Sequence, residues 1–77
     1  MSLIGDAKLD ILLTLQEGPS YGYELQKNLS LNRGTVYVHL NELQEAGMIE
    51  VDREEEDKKY YRLTENGELL LEALGED

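Results

Sequence analysis

Between Gly18 and Thr64 the apolar residues change from helical spacing to alternation, and this change constrains the fold more than any other feature of the chain. The change falls at Gly47. Before it, apolar side chains recur every three or four residues, which predicts helices, and after it they alternate, which predicts strands. We therefore expect short helices followed by a small antiparallel ribbon, an α+β arrangement.

Two short helices are expected before residue 30. The first covers residues 6–17, with Asp6 as a capping residue at its start. Gly18-Pro19 ends it, because proline fixes its own φ and keeps the preceding residue out of the helical region. The second covers residues 21–29, and Ser20 is its predicted N-cap.

A third helix is expected over residues 33–46, with Asn32 as its N-cap and Gly47 as the left-handed residue after its end. The short connection at Ser30-Leu31 suits the steep crossing of a helix-turn-helix. Three apolar residues converge on the buried face, Val36, Leu40 and Leu43. The opposite face carries Val38, Asn41, Glu42 and Glu45. The third helix is therefore the predicted recognition element.

Two antiparallel strands of about six residues should follow, with residues 54–58 as the turn between them. Their alternating apolar residues are Ile49, Val51, Tyr61 and Leu63. Thr64 is the predicted N-cap of a last helix over residues 65–74. Three helices, a two-stranded wing and a C-terminal helix make a winged helix-turn-helix. The length allows one such domain over residues 1–77.

Apolar residues near both ends of the chain exceed what one small core requires. They are Leu3, Ile4, Leu69, Leu70, Leu71 and Leu74. Two hypotheses account for them, contacts of a homodimer or closure of the core of a monomer. For the dimer we expect Leu70, Leu71 and Leu74 in particular to contribute, because a short chain has few other ways to bury leucines.

Three segments resemble the PadR family of winged-helix transcription regulators. They are residues 18–25 (Gly-Pro-Ser-Tyr-Gly-Tyr-Glu-Leu), 31–37 (Leu-Asn-Arg-Gly-Thr-Val-Tyr) and 59–67 (Lys-Tyr-Tyr-Arg-Leu-Thr-Glu-Asn-Gly). The resemblance covers most of the chain and implies a sequence-specific regulator that binds double-stranded DNA as a homodimer, by default a repressor. Two positions differ from the family, whose members often carry arginine where this chain has Asn41 and Glu42.

The resemblance places DNA contacts on the third helix, where the family pattern Ser-Pro-Gly-Thr corresponds to residues 32–35. Gly34 would let the backbone approach a phosphate, and Arg33 would add a positive charge. Thr35 and Tyr37 match polar residues that reach DNA, although a local cap for Thr35 and packing beside the core for Tyr37 are equally open interpretations. Asn41 is suited to pair with N6 and N7 of adenine.

The wing allows two interpretations. Lys58 and Lys59, flanked by Arg53 and Arg62, are placed to hold phosphates beside the groove. The four carboxylates of residues 54–57 oppose this. The alternative is a solvated turn that discourages pairing at the sheet edge and whose acidic charge the two lysines neutralise.

The net charge of −10 argues against binding nucleic acid, which normally requires a basic excess. Half of that charge lies in residues 64–77, at the end that a winged helix usually turns away from DNA. The alternative function is a winged-helix module that binds a protein partner and not DNA, supported by Val38, Glu42 and Glu45 on the outward face.

Other classes of function find little support. Without cysteine, disulfides and thiolate metal sites are excluded, and we expect neither a metal nor another cofactor. His39 is expected to be a partly buried polar residue, and no arrangement typical of an enzyme is present. The absence of a long apolar run or a signal peptide predicts a cytoplasmic protein with no membrane contact.

Overall fold

A computed structural model of the chain describes residues 6–75. Within that range it has four helices and three strands. They are α1 (Asp6–Gln16), β1 (Ser20–Tyr21), α2 (Gly22–Leu29), α3 (Arg33–Glu45), β2 (Ile49–Glu55), β3 (Lys58–Leu63) and α4 (Glu65–Ala73). Each helix begins and ends within one residue of its predicted bounds, and the α+β winged helix-turn-helix is confirmed.

The core lies where the first three helices meet the sheet and α4. Its buried side chains are Ile11, Leu12, Leu15, Leu25, Val36, Leu40, Leu43, Ile49, Tyr61 and Leu71. The predicted convergence of three α3 residues on one face is confirmed, since Val36, Leu40 and Leu43 are all buried. The opposite face of α3 is therefore held toward solvent.

Side-chain caps fix where α3 and α4 begin. The Asn32 Oδ1 accepts hydrogen bonds from the backbone N–H of Gly34 at 2.8 Å and of Thr35 at 3.4 Å. The Thr64 hydroxyl accepts one from the N–H of Gly67 at 3.2 Å. Both predicted caps are confirmed, and Gly47, with φ of +77°, has the left-handed conformation expected after α3.

The prediction for residues 20 and 21 is wrong. They form β1, which pairs antiparallel with β3 and gives a three-stranded sheet of order β1-β3-β2 in place of the predicted two strands. Ser20 is not the cap of α2, because its hydroxyl donates to the Glu24 carboxylate and the helix begins at Gly22. A strand of two residues is too short to show alternation, so the sequence pattern does not reveal it.

The wing is the hairpin of β2 and β3, and its turn is shorter than predicted. The strands extend to Glu55 and from Lys58, which leaves Glu56 and Asp57 as the turn residues. Both have positive φ, 50° and 65°, as in the two-residue turns that match the twist of a hairpin. A register shift between Val51 and Arg53 marks a bulge in β2.

The leucines of α4 divide between the core and the surface. Leu71 is fully buried, so it closes the core of the monomer and the prediction that it contacts a second subunit is wrong. Leu70 is partly buried against the same core, whereas Leu69 is 52% exposed. Leu3 and Ile4, the other predicted dimer contacts, lie outside the described residues.

Gly67 allows α4 to pack closely on the connection between α3 and β2. A Cβ atom at this position would overlap the backbone carbonyl oxygen of Met48, which also accepts the N–H of Thr64, and would lie 3.1 Å from Leu63. A backbone atom cannot rotate away as a flexible side chain can. Close approach of the two backbones therefore requires glycine here.

We expect Gly67→Ala to lower the free energy of unfolding by about 1–3 kcal/mol, the usual cost of overpacking, even though alanine favours helix. Urea denaturation followed by circular dichroism measures it. Glu72→Ala, at an exposed position of the same helix, should stay within about 0.5 kcal/mol of the parent. Equal stability of the Gly67→Ala variant and the parent would contradict the close packing.

Candidate nucleic-acid interface

The recognition helix α3 presents its predicted site residues to solvent. Arg33, Gly34, Thr35, Tyr37 and Asn41 are all classed as exposed. The Arg33 guanidinium lies 5.9 Å from the centre of the Tyr37 ring, which keeps the charge at the start of the helix close to the exposed face. The buried face of α3 and the two N-terminal hydrogen bonds to Asn32 hold this surface in place.

A groove of about 480 Å³ separates α3 from the wing. Its lining includes Tyr37 and Asn41 from α3, Lys58 and Lys59 from the start of β3, and Tyr23 from α2. The structure thus brings together four of the seven predicted site residues around one groove. Arg33, Gly34 and Thr35 are not part of its lining and lie at the N-terminal end of α3.

Tyrosines form much of the surface between α2, α3 and the wing. The chain has five tyrosines and no other aromatic residue. Tyr21 meets Tyr60 edge to face, with ring centres 5.1 Å apart. Tyr61 lies beneath them in the core, and burial raises its pKa above 10.0, with Tyr37 adding to the shift, so its hydroxyl stays protonated at neutral pH.

Sequence reasoning missed Tyr21 and Tyr23 as parts of this site. The available signal was the spacing of the tyrosines, which occur close together at residues 21 and 23 and again at 60 and 61. Pairing of β1 with β3 sets Tyr21 opposite Tyr60 and unites the two groups. The sequence pattern predicts a helix at Tyr21, and a helix would not pair with β3.

The cations of the chain divide into two groups. Among the described residues, three form ion pairs, Lys8 with Glu42, Arg53 with Asp52 and Glu55, and Arg62 with Glu50 and Asp52. Within the same range Lys27, Arg33, Lys58 and Lys59 form none. Three of these four are predicted site residues. Four carboxylates form these pairs, Glu42, Glu50, Asp52 and Glu55, and all four pair with cations outside the predicted site residues.

Arg53 and Arg62 do not stand free beside the wing as the sequence suggested. The Arg53 guanidinium donates to Asp52 and Glu55 at 2.8 Å each, and Arg62 donates to Glu50 at 2.8 Å. These hydrogen bonds raise the pKa of both arginines. A phosphate would have to compete with carboxylates already in place.

The two wing lysines behave differently. Strand register sets Glu54 opposite Lys59 and Glu55 opposite Lys58, yet neither lysine forms an ion pair with any residue between 6 and 75. The Lys58 ammonium lies instead 4.8 Å from the centre of the Tyr21 ring. In this arrangement the lysines border the groove and do not neutralise the acidic turn through direct ion pairs.

The start of α3 is less open to an anion than the sequence suggested. Asn32 already accepts the N–H groups of Gly34 and Thr35, so these amides are not free for a phosphate. Thr35 is capped by Asn32 through its backbone and does not itself act as the cap. Gly34 lacks a side chain, and this leaves room for close approach to the exposed surface of α3.

His39 lies on the other flank of α3, where its side chain is 23% exposed and its Nδ1 is 3.5 Å from Glu42 Oε1. Lys8 reaches the same carboxylate oxygen at 3.4 Å from α1. The described part of the chain contains no group of three or more potential metal ligands. None of the helices between residues 6 and 75 combines the length and the apolar character needed to cross a bilayer.

Comparison with known proteins agrees with this geometry. Residues 11–73 match the sequence pattern of the Transcriptional regulator PadR-like family. The chain belongs to that family. Its members are transcriptional regulators, and the PadR-like domain here covers both the helix-turn-helix and the wing.

Two curated proteins extend the match. The Transcriptional regulator YqjI of Escherichia coli is 38% identical over 76 residues, which cover 88% of this chain and 37% of that protein. An HTH-type transcriptional regulator of Methanocaldococcus jannaschii is 39% identical over 51 residues, covering 66% of this chain and 54% of that protein. The PadR-like chain therefore spans only about a third to a half of the length of these relatives.

A solved structure supports the fold. The transcriptional repressor BigR from Xylella fastidiosa superposes with a TM-score of 0.76 and 32% identity, over 88% of this chain and 67% of that one. The chain thus carries the winged-helix fold of a family of transcriptional regulators.

Gly22 sets the position of Tyr37. A Cβ atom on Gly22 would lie 2.6 Å from the Tyr37 hydroxyl oxygen and 2.7 Å from the ring carbon that bears it. Gly22 is buried, whereas Tyr37 is 40% exposed. The tyrosine ring therefore lies against the backbone of α2 on one side and borders the groove on the other.

We expect Gly22→Ala to lower the free energy of unfolding by about 0.5–1 kcal/mol in the parent, because the methyl group forces the exposed ring of Tyr37 out of its preferred rotamer. In a Tyr37→Ala background the same change should cost nothing or stabilise the protein, since alanine favours helix by up to about 1 kcal/mol. Urea denaturation of the four variants measures this coupling. An equal effect of Gly22→Ala in both backgrounds would contradict the contact.

Proposed function

We propose that this PadR-like chain binds double-stranded DNA sequence-specifically and acts as a homodimeric repressor. In this proposal α3 enters the major groove with Arg33, Thr35, Tyr37 and Asn41, Gly34 allows close approach, and the wing lysines hold phosphates. One observation carries the proposal. Among the described residues, the cations without an ion pair are mostly those beside α3 and the groove, and they include Arg33, Lys58 and Lys59.

The glutamates of α4 lie far from the wing lysines, whereas the carboxylates of residues 54–57 lie beside them, and Asp57 lines the same groove. β3 runs from Lys58 at the turn to Leu63 at the base of the hairpin, and only then does α4 begin with its glutamates. At about 3.3 Å per residue, α4 starts roughly 15 Å beyond the lysines. That separation exceeds the Debye length of about 8 Å at physiological ionic strength. Repulsion from α4 should therefore be largely screened at the wing.

The homodimer is supported by the surface that α4 leaves uncovered. Leu69 is 52% exposed, and Leu74 is partly buried near the end of the helix. Two-fold symmetry would demand a palindromic site with half-sites about one helical turn apart. The repressor role rests on the family and on the structural likeness to BigR, described as a transcriptional repressor.

Selection of binding sites from random duplex DNA, followed by affinity measurements over a range of salt concentrations, tests the function directly. Recovery of related sequences with two half-sites supports a sequence-specific homodimer. Recovery of single half-sites would contradict the dimer and leave DNA binding standing. No measurable binding of any duplex, even at low salt, would favour a module that docks on a protein.

We expect the double change Lys58→Ala and Lys59→Ala to weaken binding of the selected site and of random duplex alike. The slope of log affinity against log salt should become shallower by about one to two, since each phosphate contact contributes about 0.9. Fluorescence anisotropy at several salt concentrations measures both quantities. Unchanged affinity and slope would show that the wing does not touch the DNA backbone.

A second double variant provides the matched control. Arg53→Ala with Arg62→Ala removes the same charge from the same hairpin, but from side chains already bound to carboxylates. We expect its salt slope to stay close to that of the parent. Equal losses in the two double variants would mean that only the overall charge of the wing matters.

We expect Asn41→Ala to reduce affinity for the selected site by about 1–3 kcal/mol and to leave random duplex nearly unaffected, because a bidentate contact with adenine carries sequence information. Glu42→Gln should raise affinity for both duplexes, since it removes an exposed carboxylate from α3, on the flank that faces Lys8 of α1. We expect this gain in affinity to be smaller than for an unpaired carboxylate, because Lys8 already pairs with Glu42. Equal losses on both duplexes for Asn41→Ala would contradict base contact.

A further inference from the structure

Val38 is an apolar side chain in the middle of the surface that α3 turns to solvent. It is 56% exposed, in contrast to the buried Val36 two residues earlier. Among the described residues the exposed large hydrophobic side chains are Tyr23, Tyr37, Val38 and Leu69. Three of these four lie on α2 or α3. The proposed DNA-binding surface therefore carries an apolar element as well as a polar and cationic one.

Helix geometry places Val38 over Gly34. Successive residues turn by about 100°, so residues four apart lie on nearly the same line of the helix surface. Side chains of a helix lean toward its N-terminus and cover the preceding turn. The side chain of Val38 thus leans over Gly34, where a side chain is lacking. The two residues therefore present an apolar patch on the exposed face of α3.

The chemistry of the major groove defines what such an apolar patch can recognise. The base edges there present hydrogen-bond donors and acceptors, and one apolar group, the C5-methyl of thymine. A valine that faces polar base edges would leave them without partners, whereas contact with a methyl group removes apolar surface of both from water. An exposed valine on this face therefore matches a thymine.

We propose that Val38 reads the C5-methyl group of a thymine in the DNA half-site. This inference rests on the proposed function and deepens it by giving the third helix a second base-reading residue. Asn41 lies three residues further along α3, an axial rise of about 4.5 Å, compared with about 3.4 Å per base pair. The thymine that Val38 contacts and the adenine expected at Asn41 should therefore lie in the same or neighbouring base pairs.

Uracil tests the contact, because it differs from thymine in the major groove only by the absence of the methyl group. Each thymine of the selected site is replaced in turn by deoxyuridine, and affinities are measured for the parent protein and for Val38→Ser. Serine has a helix propensity similar to that of valine, and the position is exposed, so folding should be preserved. Circular dichroism checks this.

We expect the parent to lose about fourfold in affinity at one thymine of each half-site, which corresponds to about 0.8 kcal/mol for one methylene-sized group. Val38→Ser should bind the thymine and uracil versions of that position equally well. Gln16→Ser, which changes an exposed residue of α1 that has no part in the proposed interface, should keep the full fourfold ratio. The ratio of the affinities for the thymine and uracil duplexes isolates the methyl contact from any general change in affinity.

Three results would overturn the inference. If the parent binds every uracil-substituted duplex as well as the original, no methyl group is read. If Val38→Ser still discriminates thymine from uracil, another residue makes the contact. If the parent binds no duplex at all, the proposed function fails together with this inference, whereas the first two results leave DNA binding intact.

Discussion

The pairing of β1 with β3 is the interaction on which the proposed interface depends. It joins Ser20 and Tyr21 to the strand of the wing that begins with Lys58, and so fixes the start of α2 beside the hairpin. From that position Gly22 supports the ring of Tyr37 on α3. Two backbone pairs thus connect α2, α3 and the wing, which would otherwise be held together only through the core.

Ion pairing distinguishes the arginines of the wing from its lysines. The bulge between Val51 and Arg53 shifts the register of β2, and Arg53 then reaches carboxylates on either side of it in the sequence. Arg62 joins Glu50 and Asp52 across the hairpin. Exposed pairs of this kind contribute little to stability. Their larger effect is to gather opposite charges on one part of the wing and leave its lysines outside these pairs.

The sequence predicted those elements whose ends are marked by local chemistry. Asn32, Gly47 and Thr64 each fix a helix boundary through a neighbouring backbone group, and all three predictions were confirmed. Features that depend on distant partners were not predictable, such as β1, which needs β3 beside it. The consecutive leucines of α4 show the same limit, because packing against α1 and β3 decides that Leu71 is buried and Leu69 is not.

Lys58 has two alternative partners, the ring of Tyr21 and, in the proposed complex, a DNA phosphate. Its ammonium lies on the face of Tyr21, an exposed interaction worth about 0.5–1 kcal/mol. Leaving that face for a phosphate would therefore cost little. The aromatic contact is far less sensitive to salt than a phosphate contact, since counterion release drives only the latter. Rising salt should thus return Lys58 to Tyr21 before the fold itself is affected, so the wing would release DNA without unfolding.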